Sequence, residues 1–451
     1  MMMSCRATKF RYVKRTGGGR AGCSSAVVAV SVVQLPQEIW LHVFRLLTAQ
    51  EKGVVRATCW YFKQLIDQST LWKNSKVVLK KIDAYNPAFW ATLRKRGTSA
   101  VVVRKMGTKQ WKQLATKMPW VTALAIEEWS DGNVLATLPQ FMNLKKLVIR
   151  SSHCPPGLHD LLASLQQLTH LTLCQFDCPQ RAQLIDTVSR LTHLNSLVFH
   201  EGLEHIPTHA FHSLLSSLPN LKELSLNVKT FSYKPLPADY FVLPKSINEI
   251  EEPYVPQLGL TKLELLNYKD SFLSQSSIEQ LSALRSLAIH FEDHTAAPSL
   301  TTLLSNLPCL KELTVQRGGP FNVYVGSIPA TLDSLSLSGV FVSLEDMRTL
   351  SKQAAGLRHL HMDLSVNSTH LSVLDFPQLF PHLRTLQLRH CNVTKEELLG
   401  LARLHYLEKL AVLGSCPLGM IQDFKILTDN RVQLLQSLLP LDHMTCLCMQ
   451  G

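Results

Sequence analysis

His170, His200, His205, His209 and His212 crowd into one stretch of the chain. Imidazole is a common ligand for divalent metals, so the chemistry they could do is coordination. Coordination needs convergence on one point. The surrounding pattern spreads these residues over a strand, a loop and a helix, so they share no face, and no metal is expected. Cysteine could supply other ligands. The chain has 11 cysteines, an odd number, and the closest pairs are Cys174 with Cys178 and Cys446 with Cys448. Neither spacing belongs to a matched pair of metal half-sites. There is no nucleophile elbow, glycine-rich phosphate loop or acid pair in a catalytic context. The residue-level reading is a noncatalytic protein, not an enzyme, with no cofactor.

Composition narrows the class. Apolar residues make up 46% of the 451-residue chain and charged ones 18%, which is the balance of a folded protein. The apolar run "AVVAVSVV", Ala26 to Val33, is too short to span a bilayer, which needs about 20 residues. It has no small-residue cleavage site before the next helix, so neither secretion nor a membrane is expected. Reduced thiols and a cytoplasmic or nuclear location follow. Residues 1–33 are acid-free and carry Arg6, Lys9, Arg11, Lys14, Arg15 and Arg20. An organelle presequence is acid-poor and Arg-rich in the same way. The glycines of "TGGGRAG" favour a disordered basic tail instead.

Net charge is +12, unevenly spread. From Lys73 to Lys117 there are 12 Lys or Arg residues and a single acid, Asp83. Such a block could face phosphates or an acidic partner. No stacking platform or recognition helix accompanies it, so nucleic acid is disfavoured.

The elements that carry these residues come from a repeat. The template L-x-x-L-x-L recurs as "LKKLVI" at Leu144, "LTHLTL" at Leu168, "LNSLVF" at Leu194 and "LKELSL" at Leu221. It continues through "LTKLEL" at Leu260, "LRSLAI" at Leu284, "LKELTV" at Leu310 and "LDSLSL" at Leu332. Clear copies end with "LRHLHM" at Leu357, "LRTLQL" at Leu383 and "LEKLAV" at Leu407. "TSAVVV" at Thr98 and "VTALAI" at Val121 are weaker early copies, and "LDHMTC" at Leu441 is a last one. Successive clear copies start 22 to 27 residues apart, except for steps of 39 before Leu260 and 34 before Leu441. This is the leucine-rich-repeat signature. One strand and one helix per repeat cannot bury their own apolar faces. Stacking them gives an α/β solenoid, a horseshoe with parallel strands inside and helices outside.

The 39-residue step holds an insertion at about 229–258, rich in proline and tyrosine. Its "LPKSINEI" has the frame of "IPATLDSL" at Ile328, so part of it could be a degraded repeat. In "LRTLQLRHCNV", Cys391 occupies the turn position that such repeats fill with Asn or Cys.

Strand alternation then lines up polar columns on the concave face. One column reads Arg104, Glu127, Arg150, Cys174, His200 and Asn227, then His290, Asp363 and Arg389. Its neighbour reads Lys146, His170, Glu223, Lys262, Glu312, His359 and Lys409, with His361 between the two. Arg104, Arg150, His170, His200, His359, His361 and Arg389 are the substrate-binding candidates. The competing expectation is a solvated face whose charges pair among themselves, as Arg104, Glu127 and Arg150 could.

Ahead of the repeats, "LPQEIWLHVFRLL" from Leu35 to Leu47 is apolar on more than the single arc a surface helix needs. It leads into "TAQEKGVVRATCWYFKQLIDQSTLWKNSKVVL". The run resembles an F-box: Leu35, Pro36, Glu38, Ile39, Val43, Phe44, Leu47, Glu51, Cys59, Phe62, Leu71 and Trp72 fall at that family's spacings. It departs from the family at Lys52, where an apolar residue is usual, at Thr58, usually Val, and at Phe62, usually Trp. Trp60 lies two residues away and could substitute for the missing ring.

The resemblance implies a small all-α, three-helix domain over 34–80, with the solenoid over 81–451. It implies docking on a Skp-type adaptor and, through it, on a cullin scaffold. The expected adaptor contacts are Leu35, Pro36, Glu38, Ile39, Val43, Phe44, Leu47 and Trp72, while Leu65 and Leu71 fill the helical core. An F-box followed by leucine-rich repeats resembles the substrate receptor of an SCF-type ubiquitin ligase, with a protein substrate of unknown identity. The alternative is a non-ligase interaction scaffold whose helices merely cap the solenoid.

Overall fold

The structure is a computed structural model. It describes residues 35–437 except 73–74, 81, 105, 128–136, 151–153, 155–156, 177, 202–204, 230–234, 244–257, 295, 365–371, 391–393 and 414–417. The basic tail 1–33, Cys391 and the copy at Leu441 lie outside the described residues. The chain divides into two compact units, Met1–Leu71 and Trp72–Gly451.

The first unit holds helices α1 (Gln37–Arg45), α2 (Ala49–Arg56) and α3 (Trp60–Ile66), followed by a 3-10 turn, Ser69–Leu71. Each start has a local cause. Pro36 precedes α1, where its missing N–H is no loss. Thr48 and Glu51 form a reciprocal capping box on α2. The Cys59 sulfur accepts from the Phe62 N–H at the start of α3. Leu65, Ile66 and Leu71 are buried, as the core expectation for Leu65 and Leu71 required.

Among the described residues, the second unit carries a 15-stranded, wholly parallel sheet whose strand order follows the chain. Its first rungs are β1 (Lys76–Leu79), β2 (Ala100–Arg104), β3 (Ala123–Glu127), β4 (Lys146–Arg150) and β5 (His170–Phe176). Then come β6 (Ser196–Glu201), β7 (Glu223–Asn227), β8 (Lys262–Tyr268), β9 (Ser286–Phe291) and β10 (Glu312–Gln316). The last are β11 (Ser334–Ser338), β12 (His359–Leu364), β13 (Thr385–His390), β14 (Lys409–Leu413) and β15 (Gln433–Ser437). Leucines stack rung on rung at the second strand position, for example Leu287, Leu313, Leu335, Leu360 and Leu386, each at most 1% exposed. Burying one such side chain contributes about 2 kcal/mol, and the ladder repeats it along the stack. Helices such as Thr108–Lys117 and Leu344–Gln353 bury one apolar face against this core. This is the α/β leucine-rich-repeat solenoid that the period requires.

Three boundaries differ from the sequence reading. Lys76–Leu79, assigned above to the F-box range, is the first strand of the sheet and pairs with β2. The last described rung is Gln433–Ser437, which the leucine template misses, while the copy at Leu441 lies outside the described residues. Its template is hidden because Arg431 stands where a leucine is expected, with Val432 buried beside it. The Arg431 guanidinium donates to the carbonyls of Leu404, His405 and Leu407, so a cation replaces an apolar contact by capping the turn before it. Finally, β7 pairs directly with β8, so the insertion contributes no rung between them. Within its described part, Tyr240 stacks on Phe211 at 4.3 Å and donates from its hydroxyl to the Ile206 carbonyl. "LPKSINEI" lies almost wholly outside the described residues.

Candidate functional site

Helix α1 carries two apolar faces. Trp40 and Phe44 point inward and meet Phe62 of α3 in a three-ring cluster, with centroids 4.7 to 5.6 Å apart. Phe44 is 2% exposed. A second apolar stripe, about 100° round the helix, runs through Ile39 and Val43 and continues onto Leu35 and Leu46, which flank the helix, at steps of four, four and three. Ile39 is 47% exposed and Leu46 77%. Pro36 and Glu38 are exposed, and Leu47 is half-buried. Two expected docking residues therefore need correction. Phe44 belongs to the core of its own unit. Trp72 is 7% exposed, with the Arg96 guanidinium 3.9 Å over its ring.

The departures from the family pattern resolve individually. Phe62 fills the inner cluster itself. Trp60 does not substitute, being 70% exposed: residues two apart on a helix point about 200° apart. Lys52 is buried, and its ammonium donates to the Leu71 carbonyl at 3.3 Å, so an ion-capable side chain occupies an apolar position by capping the 3-10 turn. Thr58 is exposed and donates to the Val55 carbonyl at 2.8 Å, closing α2. A two-pronged Arg56–Asp67 pair, at 2.8 and 2.9 Å, ties α2 to the end of α3.

On the solenoid, strand register assembles the polar columns as the alternation requires. Arg104, Glu127, Arg150, Cys174 and His200 are successive partners. Their chemistry is largely internal. Glu127 accepts from both Arg104 and Arg150. His170 lies 2.8 Å from the Thr169 hydroxyl, and its pKa is lowered by burial and by Lys146. His359 is 3.9 Å from Asp333. His361 meets Ser336 at 2.9 Å and Asp363 at 3.8 Å. The Arg389 side chain lies outside the described residues.

His200 is the clearest correction. It is 6% exposed and cannot meet a ligand. It belongs to a relay that crosses the middle rungs. The Cys174 sulfur is 3.7 Å from His200 Nδ1, and His200 Nε2 is 2.7 Å from the Ser225 hydroxyl. Ser225 donates to Glu264, which lies 3.4 Å from His290 Nε2, and His290 Nδ1 meets Gln316 at 2.6 Å. Burial pulls the His200 pKa down to about 4 and pushes the Cys174 thiol up to about 11. Burial alone would raise Glu264, but hydrogen bonds from His290 and Ser225 hold it below the usual carboxylate range. Serine, histidine and a carboxylate together invite comparison with a hydrolase triad. Here the serine hydroxyl donates to the carboxylate instead of being activated by the imidazole, and all three are shut from solvent. Sequence reasoning missed Ser225 and Glu264. Their place at the third strand position, in line with His361, was the available signal.

Of the other histidines, His205 precedes the helix Thr208–Ser217, and His209 and His212 lie within it. The His212 ring lies 3.2 Å from the carbonyls of Asp239 and Tyr240. Among the described residues, no group of three or more His, Cys, Asp or Glu could hold a metal ion, and no helix is long and apolar enough to cross a membrane.

Residues 32–76 match the family model described as F-box-like. No curated protein matches the chain. Solved structures similar to it include an internalin from Listeria monocytogenes, 13% identical, covering 86% of this chain and 93% of that one, with a TM-score of 0.34. Another is a chain of a TLR13–ssRNA13 complex, 16% identical, covering 82% of this chain and 62% of that one, with a TM-score of 0.35. The repeat assignment rests on this chain's own register and period. The chain carries an F-box-like domain followed by a leucine-rich-repeat solenoid, the organisation of an F-box and leucine-rich-repeat protein.

Proposed function

We propose that the chain is the substrate-recognition subunit of an SCF-type cullin-RING ubiquitin ligase. Its F-box would bind a Skp-type adaptor, through it a cullin scaffold, and its solenoid a protein substrate for ubiquitination. The observation that carries this reading is the outer stripe of α1, Leu35, Ile39, Val43 and Leu46, held outward by a helix whose inner face is already used. F-box domains generally bind Skp-type adaptors, and this organisation is typical of nonenzymatic adaptors and receptors. The receptor would act by bringing substrate to a ubiquitin-loaded partner, a proximity effect, in the cytoplasm or nucleus.

The test is co-purification with the adaptor from purified components. Pro36→Ala with Ile39→Asp should weaken adaptor binding at least about thirtyfold, the size of a central interface contact, and leave the melting temperature unchanged. Failure of the wild-type chain to bind any Skp-type adaptor would overturn the ligase reading and leave the interaction scaffold with a helical cap.

A further inference from the structure

The open face of the solenoid changes character along its rungs. At the third strand position, β10 to β13 carry Thr314, Ser336, His361 and Gln387. The middle rungs are closed by the buried relay, and there Cys174 and Leu266 form a small buried cluster apart from the main core. In β1 to β4 the same position carries Val78, Val102, Ala125 and Val148, in register and none of them buried. Ala100 and Ala123 beside them are short, so the rungs enclose an open groove. Four strands spaced about 4.8 Å apart make a floor about 15–20 Å long, enough for about five residues of extended chain.

The rim of this groove is cationic. Lys76 and Lys146 are exposed. Arg104 and Arg150 share the single carboxylate of Glu127, so four cations meet one anion. Arg150 Nε is buried without a hydrogen-bond partner among the described residues. Buried donors of this kind are rare and call for an acceptor. An apolar floor between cations fits a ligand that is apolar in its middle and anionic at its ends. Nucleic acid would engage the rim and leave the valines uncovered.

We propose that the open face of β1–β4 is a docking groove for an extended acidic segment of a partner protein. An aliphatic side chain of that segment sits on Val102, Ala125 and Val148, and its flanking carboxylates meet Lys76, Lys146 and Arg150. This rests on the receptor reading and names the class of substrate.

The test uses the full chain and phage-displayed random peptides of about twelve residues. The recovered peptides should place Asp or Glu on both sides of Leu, Ile or Val. Measured by fluorescence anisotropy, the strongest of them should bind about tenfold or more weakly to Ala125→Tyr and to Lys146→Glu, and unchanged to Ser336→Tyr on β11, with circular dichroism unaltered in all three. Recovery of no peptides, or of peptides without acids, overturns the proposal, as does an equal loss in Ser336→Tyr. So does a single-stranded oligonucleotide that binds the full chain and is lost in Lys146→Glu but not in Ala125→Tyr, which would assign the rim to nucleic acid. Adaptor co-purification with the wild-type chain separates the two readings. Peptide binding without adaptor binding removes the ligase and keeps the groove, while the reverse keeps the ligase and removes the groove.

Discussion

At the scale of the residue, His200 shows how a strand position that should face solvent becomes structural. Burial disfavours its charged form, so its pKa falls from the ordinary 6.5 to about 4. The unfolded chain then binds the proton more readily than the folded one. Stability is unaffected by this group above pH 6.5, declines as pH falls below it, and levels off below about 4. The loss reaches about 2 kcal/mol by pH 5 and about 3 kcal/mol at the plateau. Glu264, held ionised by His290 and Ser225, adds to the acid loss as pH falls through its own lowered pKa. Melting temperatures measured from pH 8 to pH 5 should therefore fall in the wild type and fall less in His200→Gln. An equal slope in both would show that the relay is not what senses acid. The columns that carry the relay were legible from the period, but its links, between residues 25 to 39 apart, were not, because burial and pairing depend on what the adjacent rung supplies.

At the scale of the element, α1 and α3 show which departures from a family pattern matter. Phe62 closes the ring cluster against Trp40 and Phe44. Phe62→Ala should destabilise the helical unit by about 3 kcal/mol, since it removes a ring from a packed site. Trp60→Ala, at an exposed position, should stay within about 0.5 kcal/mol. Chemical denaturation followed by tryptophan fluorescence would separate the two, and equal effects would mean that Trp60 is part of the core. Much of this was legible beforehand. Helical spacing alone puts Leu35, Ile39 and Val43 on one side, whereas the question of Trp60 standing in for the ring at Phe62 stayed open until its exposure was seen. The fate of Lys52 was not legible, because the carbonyl it caps belongs to Leu71, on a different element.

At the scale of the molecule, the fifteen rungs pair only with their neighbours in sequence, so the solenoid is a chain of similar interfaces. The backbone ladder passes the insertion without a break, from Asn195 through Lys222 to Thr261. Among the described residues, every strand pairing lies within Trp72–Gly451. A chain shortened to residues 72–451 should accordingly keep the circular dichroism of the parallel sheet and its peptide binding while losing the adaptor. Loss of the sheet signal on this truncation would show that the helical unit is required for the repeats to fold.

The sequence by itself determined what local period can encode. The recurrence of the leucine template dictated rungs, columns and a parallel sheet, because each unit must bury its leucines on the next. The two apolar faces of α1 followed from spacing in the same way. Tertiary structure decided what depends on neighbours far along the chain. It withdrew Phe44, Trp72 and His200 from solvent, joined Arg104 and Arg150 through Glu127, and placed a rung behind Arg431 where the template is broken. Burial and charge pairing are set by whatever the adjacent rung or helix supplies, and a residue's own place in the repeat does not contain that information.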